Sequence, residues 1–179
     1  MLLVVDNGSV YTPSLLSCLK NIDIDFENYP FSNIPSLDDY SSIILSGRRK
    51  NDAGMNAINS KLIKYCLQEQ KPLLGICYGA EILALTLGGT IKKMNSPRHG
   101  LYEINTKNDN PLCKGKIQVF ESHSYMISKL NPNFIQLAVS TECNFEIFQY
   151  ANKNIFGTQF HPEMSHDGKV LLENFTAIG

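Results

Sequence analysis

Three short, almost wholly apolar runs constrain this chain more than any other feature of its 179 residues: Leu2–Val5, Ser42–Leu45 and Leu73–Ile76. Each has the length of a strand and lacks the alternation of a sheet face open to water, so each needs cover on both sides. The first two stop at turn signals, Asp6-Asn7-Gly8 and Ser46-Gly47. The intervening stretches supply the cover. Tyr11–Leu19 carries Leu15, Leu16 and Leu19 at helical spacing, with Thr12 as cap and Pro13 just inside the start. Met55–Gln70 repeats Ile58, Leu62, Ile63, Tyr65, Cys66 and Leu67 over about four turns. Ala80–Leu87 forms another helix, stopped by Gly88-Gly89. Strand and helix in alternation spell a parallel sheet in an α/β fold.

The remainder is richer in strands. Ile24–Tyr29 is a short one, and Leu101–Asn105, Gln118–Phe120, Phe134–Val139, Glu146–Tyr150 and Ile155–Gln159 follow, before a last helix from about Lys169 to Ala177. No repeat, low-complexity tract or linker interrupts the chain. The expectation is one α/β domain over residues 1–179, with a mixed, mostly parallel central sheet and helices on both faces.

Charge narrows the partners. Sixteen basic and 17 acidic side chains leave a net charge of −1, which argues against a nucleic-acid-binding protein, and a 43% hydrophobic content argues against disorder. The five cysteines are scattered and form no CxxC pair, so neither a zinc site nor a disulfide framework is expected; reduced thiols in a cytoplasmic protein are the simplest account. No apolar stretch approaches the roughly 20 residues of a membrane span, and the N-terminal run is too short for a signal peptide. Neither a metal nor a cofactor is expected.

The chemistry concentrates at Gly75-Ile76-Cys77-Tyr78-Gly79, between an apolar strand and a helix. This is the setting of a nucleophile elbow, with cysteine in the place of serine. Glycines on both sides let the strained turn pack against its neighbours. The helix N-terminus beside the sulfur favours thiolate, and the Tyr78 N–H is placed to hold an oxyanion. A thiol needs a base. Of four histidines, His161 lies just past an apolar strand, in Phe160-His161-Pro162-Glu163. With Pro162 holding the chain extended, Glu163 projects to the side of His161 and orients its ring. Both motifs fall at carboxyl ends of strands, where open α/β sheets collect ligands.

Taken together, Leu74-Gly75-Ile76-Cys77-Tyr78-Gly79 and Gly157-Thr158-Gln159-Phe160-His161-Pro162-Glu163 resemble the motifs of class I glutamine amidotransferases. The resemblance runs along nearly the whole chain, through Val4-Val5-Asp6-Asn7-Gly8, Leu45-Ser46-Gly47, Leu87-Gly88-Gly89 and Ser122-His123 in the family's order. Within the family, the Asp6-Asn7-Gly8 opening is most similar to the separate glutaminase subunits of two-subunit GMP synthases. The resemblance implies a flavodoxin-like sheet, a Cys77-His161-Glu163 triad and hydrolysis of L-glutamine through a cysteine thioester. It also implies an ATP-dependent synthetase partner that accepts the ammonia, since this chain has no phosphate-binding loop of its own.

Two departures stand out. The family's Ser-Gly-Gly-Pro is here Ser46-Gly47-Arg48-Arg49-Lys50, so the second oxyanion N–H falls to Arg48. The glutamine expected four residues after the cysteine is Glu81, which reads either as a substrate contact or as a helix-surface glutamate. By the same resemblance, Gly47 and Ser122-His123-Ser124 line the substrate's amino-acid end, although Tyr125 stands near where GMP synthase subunits usually have an acid. His99 and His166 carry no signal beyond surface roles. Two other readings remain open: a hydrolase of another γ-glutamyl or amide substrate, and a non-catalytic regulatory subunit.

Overall fold

The structure, a computed structural model, describes residues 1–178; Gly179, the last residue of the expected domain, lies outside them. A single nine-stranded sheet runs through the molecule. Its strands are β1 (Leu2–Asn7), β2 (Phe26–Pro30), β3 (Ser42–Arg48), β4 (Leu73–Ile76), β5 (Thr90–Thr106), β6 (Lys116–Lys129), β7 (Phe134–Val139), β8 (Ile147–Tyr150) and β9 (Ile155–Thr158), in the spatial order β2-β1-β3-β4-β9-β8-β7-β5-β6. The ladders from β2 across to β9 are parallel, and those from β9 out to β6 are antiparallel. The helices are α1 (Thr12–Asn21), α2 (Ala53–Gln68), α3 (Tyr78–Thr86) and α4 (His166–Thr176).

The apolar runs are buried on both faces because successive strand residues point to opposite sides. Leu2 and Val4 join Ile44, Leu74 and Ile76 against Leu15 and Leu19 of α1 and Leu171, Leu172 and Phe175 of α4. Leu3 and Val5 join Ile43, Leu45 and Leu73 against Met55, Leu62 and Ile63 of α2 and Ile82 and Leu83 of α3. Two cores, one on each face, make a three-layer sandwich.

Several boundaries differ from the sequence reading. Tyr11, not Thr12, caps α1; Thr12 lies inside the helix and donates its hydroxyl to Asp6 at 2.9 Å. Asp52 starts α2 earlier than expected by accepting from the Met55 N–H at 2.7 Å. Ser165 does the same for α4 through the Gly168 N–H at 3.2 Å. The largest difference is the β5–β6 hairpin, whose strands run to 17 and 14 residues and take in the polar stretch Lys92–Arg98.

Candidate functional site

β4 and β9 lie side by side and parallel, with Ile76 opposite Thr158. The segment carrying Cys77 and the segment carrying His161 therefore leave the sheet at the same rim. The Cys77 N–H donates to the Thr158 carbonyl at 2.7 Å, fastening one strand end to the other. Cys77 sits at φ 50°, ψ −101°, far from the ordinary regions for a side chain with Cβ. Such strain costs on the order of 1–3 kcal/mol and persists because the surroundings over-determine it. Both flanking glycines are sterically required: a Cβ on Gly75 would strike the Gly79 carbonyl, and one on Gly79 the Leu45 carbonyl.

His161 is 3% exposed and its Nδ1 lies 2.8 Å from Glu163 Oε1. The pair forms differently from the expectation. Only His161 is extended, and Pro162–Met164 is a turn of 3₁₀ helix that swings Glu163 back onto the ring. Sequence reasoning missed Tyr11. Its ring packs on that of His161 with centroids 4.5 Å apart, and its hydroxyl reaches Ser122 Oγ at 3.1 Å, so the loop after β1 covers the His161 ring. His99 meets the same serine at 3.4 Å.

At the end of β3, Gly47 packs so closely that a Cβ there would lie 2.9 Å from His161 Cε1. The preceding Ser46 is locked by Asn7, whose backbone N–H donates to its hydroxyl at 2.9 Å and whose amide donates to its carbonyl at 3.1 Å. Asn7 exchanges two further bonds with Asn59 of α2. The Asp6-Asn7-Gly8 and Leu45-Ser46-Gly47 motifs are thus two sides of one buried joint. Arg48 follows, half-buried, and its backbone φ is not positive. Its guanidinium lies over the Tyr78 ring at 4.2 Å and donates to Asn51 and Asn56. Arg48 is thus held against the start of α3, while Arg49 and Lys50 are exposed.

Glu81 is not a surface residue; it is 6% exposed. Burial pushes its carboxyl up from 4.5, against the pull of Arg48, Gln159 and His123. The Cys77 thiol is likewise held well above its ordinary range, first by burial and then by the negative charges of Glu81 and Glu163; the Tyr78 N–H and Arg48 pull the other way. Desolvation and two carboxylates thus work against the thiolate that the helix end favours. Of the expected substrate-lining residues, Gly47 and Glu81 lie in this cluster, Ser122 lies under Tyr11, His123 is buried beside Glu121, and Ser124 is exposed. No group of metal-ligating side chains occurs among the described residues.

This architecture and site define a class. Residues 3–178 match the family Glutamine amidotransferase class-I, and the chain belongs to it: it is a cysteine-dependent glutamine amidotransferase. Among individual proteins, it is 31% identical to a subunit of the glutamine-hydrolyzing GMP synthase of Pyrococcus furiosus over 188 aligned positions, covering 99% of this chain and 98% of that protein. The corresponding GMP synthase subunit from Thermoplasma acidophilum is 32% identical, with 98% of this chain and 90% of that protein covered. A crystal structure from the same organism, of a protein assigned as this GMP synthase subunit, superimposes with a TM-score of 0.86 at 29% identity over 99% of this chain and 92% of that one.

Proposed function

We propose that this chain, as one domain spanning residues 1–179, is the glutaminase subunit of a two-subunit GMP synthase, and that Cys77, His161 and Glu163 are its catalytic triad. The Cys77 sulfur attacks the γ-carboxamide carbon of L-glutamine while His161 takes the thiol proton. Backbone N–H groups of Tyr78 and Arg48 receive the oxyanion. The intermediate collapses to a glutamyl thioester as His161 returns the proton to the departing nitrogen, and ammonia leaves. Water, deprotonated by His161, then cleaves the thioester to glutamate and regenerates the thiol. Glu163 holds the ring and supports its imidazolium. Gly47, Glu81 and the Ser122-His123-Ser124 segment line the substrate.

Ammonia passes to an ATP-dependent synthetase subunit, which in this reading aminates a purine nucleotide. Full-length similarity to subunits named for that reaction supports the assignment. The observation that carries the chemistry is the parallel β4–β9 ladder, which brings the Cys77 and His161 arms to one rim. Five free cysteines accord with a cytoplasmic location.

The test is ammonia release from L-glutamine, with and without a GMP synthase synthetase subunit. The wild type is expected to release ammonia, faster in the complex, and Cys77→Ala to lose at least about 10³-fold. Undiminished release by Cys77→Ala would refute the assignment of the nucleophile.

A further inference from the structure

Glu163 alone does not fix the His161 ring relative to Cys77. The two residues stand two apart in one short segment, so their 2.8 Å bond ties the ring to its own turn and leaves it to move with that turn. The outside references come from two other stretches of chain. Gly47, near the end of β3, closes the Cε1 edge so tightly that a Cβ there would lie 2.9 Å from it. Tyr11, at the N-cap of α1, lays its ring against the imidazole with centroids 4.5 Å apart and planes inclined by 55°. Nδ1 is taken by Glu163, which leaves Nε2 to serve the Cys77 thiol.

Tyr11 is itself held at both ends. Its backbone N–H donates to Ser9 Oγ at 3.1 Å, and its carbonyl accepts the Leu15 N–H at 3.1 Å as α1 opens. At the far end its hydroxyl meets Ser122 Oγ, 111 residues along the chain, at 3.1 Å. Phe120 packs edge-on to the Tyr11 ring at 5.7 Å, and the carbonyl of that same residue accepts the His161 N–H at 2.8 Å. The wall and the backbone of the base therefore share one support, β6. Fastening a tyrosine in this way costs side-chain freedom. Core packing does not call for it, since half-buried Tyr11 belongs to neither apolar core.

Resting on the glutaminase reading, we infer that Tyr11 is a positioning residue of the reaction: it acts through His161, holding the plane of the imidazole so that Nε2 stays aimed at the Cys77 sulfur through both proton transfers. A misplacement of about 1 Å in such a geometry can cost about 10²-fold in rate. The aromatic face has a second effect. On taking the thiol proton His161 becomes an imidazolium, and a cation within about 6 Å of a tyrosine centroid is attracted to the ring's electron-rich face.

The experiment measures kcat and KM for L-glutamine in Tyr11→Phe, Tyr11→Leu and Tyr11→Met, each in complex with the synthetase and each checked by its Tm. The Leu and Met variants keep bulk and lose the flat aromatic wall. They are expected to lower kcat by about 10- to 100-fold, with KM within about twofold of wild type. Tyr11→Phe keeps the wall and loses only the bond to Ser122, so its kcat is expected to stay within about fivefold of wild type, the worth of one neutral hydrogen bond. A rise in KM with kcat intact would make Tyr11 a wall of the substrate pocket and overturn the proposal. So would an unchanged kcat in the Leu and Met variants, or a kcat that falls as far in Tyr11→Phe as in them. Each of these outcomes leaves the glutaminase reading standing, whereas a wild type that releases no ammonia from glutamine would overturn both.

Discussion

At the scale of single residues, the site is a contest between strain, burial and charge. Cys77 occupies a backbone conformation few side chains tolerate, in surroundings whose burial and negative charge push its thiol pKa up. Removing one of the opposing charges moves the balance in a known direction. Glu81→Gln is expected to lower the Cys77 pKa, seen as alkylation by iodoacetamide setting in at lower pH than in wild type; an unshifted profile would mean that the two groups do not sense each other. The strained turn at Cys77 and the pairing of His161 with Glu163 are legible in the sequence because each sits in a contiguous motif whose glycines or proline have mechanical reasons. The burial of Glu81 was not, because a lone acid in the first turn of a helix reads equally well as a solvated end. Arg98, Glu121 and Glu146 give no signal, and Gln159 only as a member of the motif around His161. Their proximity is made by the β5–β6 pairing and by the Gln159 N–H bond to the Glu146 carbonyl, neither of which has a local signature.

At the scale of elements, α3 is set against the sheet by the absence of side chains. The Gly79 Cα approaches the Leu45 backbone too closely for a methyl group. Gly79→Ala is expected to cost about 2 kcal/mol, read as a fall of roughly 4–8 °C in Tm; a Tm equal to wild type would show that the helix can shift without penalty. Periodicity located the elements well where burial dictated the residues, as in β7, whose bounds Phe134–Val139 match the reading. It failed on β5 because Lys92–Arg98 is a polar stretch interrupted by Pro97. The ladder to β6 holds its two ends, with Lys93 opposite Tyr125 and Arg98 opposite His123, and the register shifts across Met94–Pro97 between them. α3 begins at Tyr78 rather than Ala80 because the elbow itself supplies the first turn, the Glu81 N–H donating to the Cys77 carbonyl at 2.9 Å.

At the scale of the whole molecule, the buried charges make stability depend on pH. Glu146 is fully buried, neither of its oxygens has a hydrogen-bond partner, and burial followed by the charge of Glu121 raises its pKa to about 8, against Ser140, His123 and Arg98. The folded protein thus keeps a proton that an ordinary glutamate, at 4.5, gives up. A raised native pKa contributes stability that is whole below about 4.5 and drains away as pH climbs to about 8. Glu146→Gln is expected to flatten Tm against pH over that window, with its largest advantage over wild type at the alkaline end; parallel curves for the two proteins would contradict this. The hydrogen bond from Cys77 to Thr158 carries a consequence of another kind. The turn that carries Cys77 leans on a strand made later in the chain, so a polypeptide still emerging from the ribosome makes its cysteine before the support that shapes it. A product clipped between the two is expected to keep the cysteine and lose the turn that shapes it.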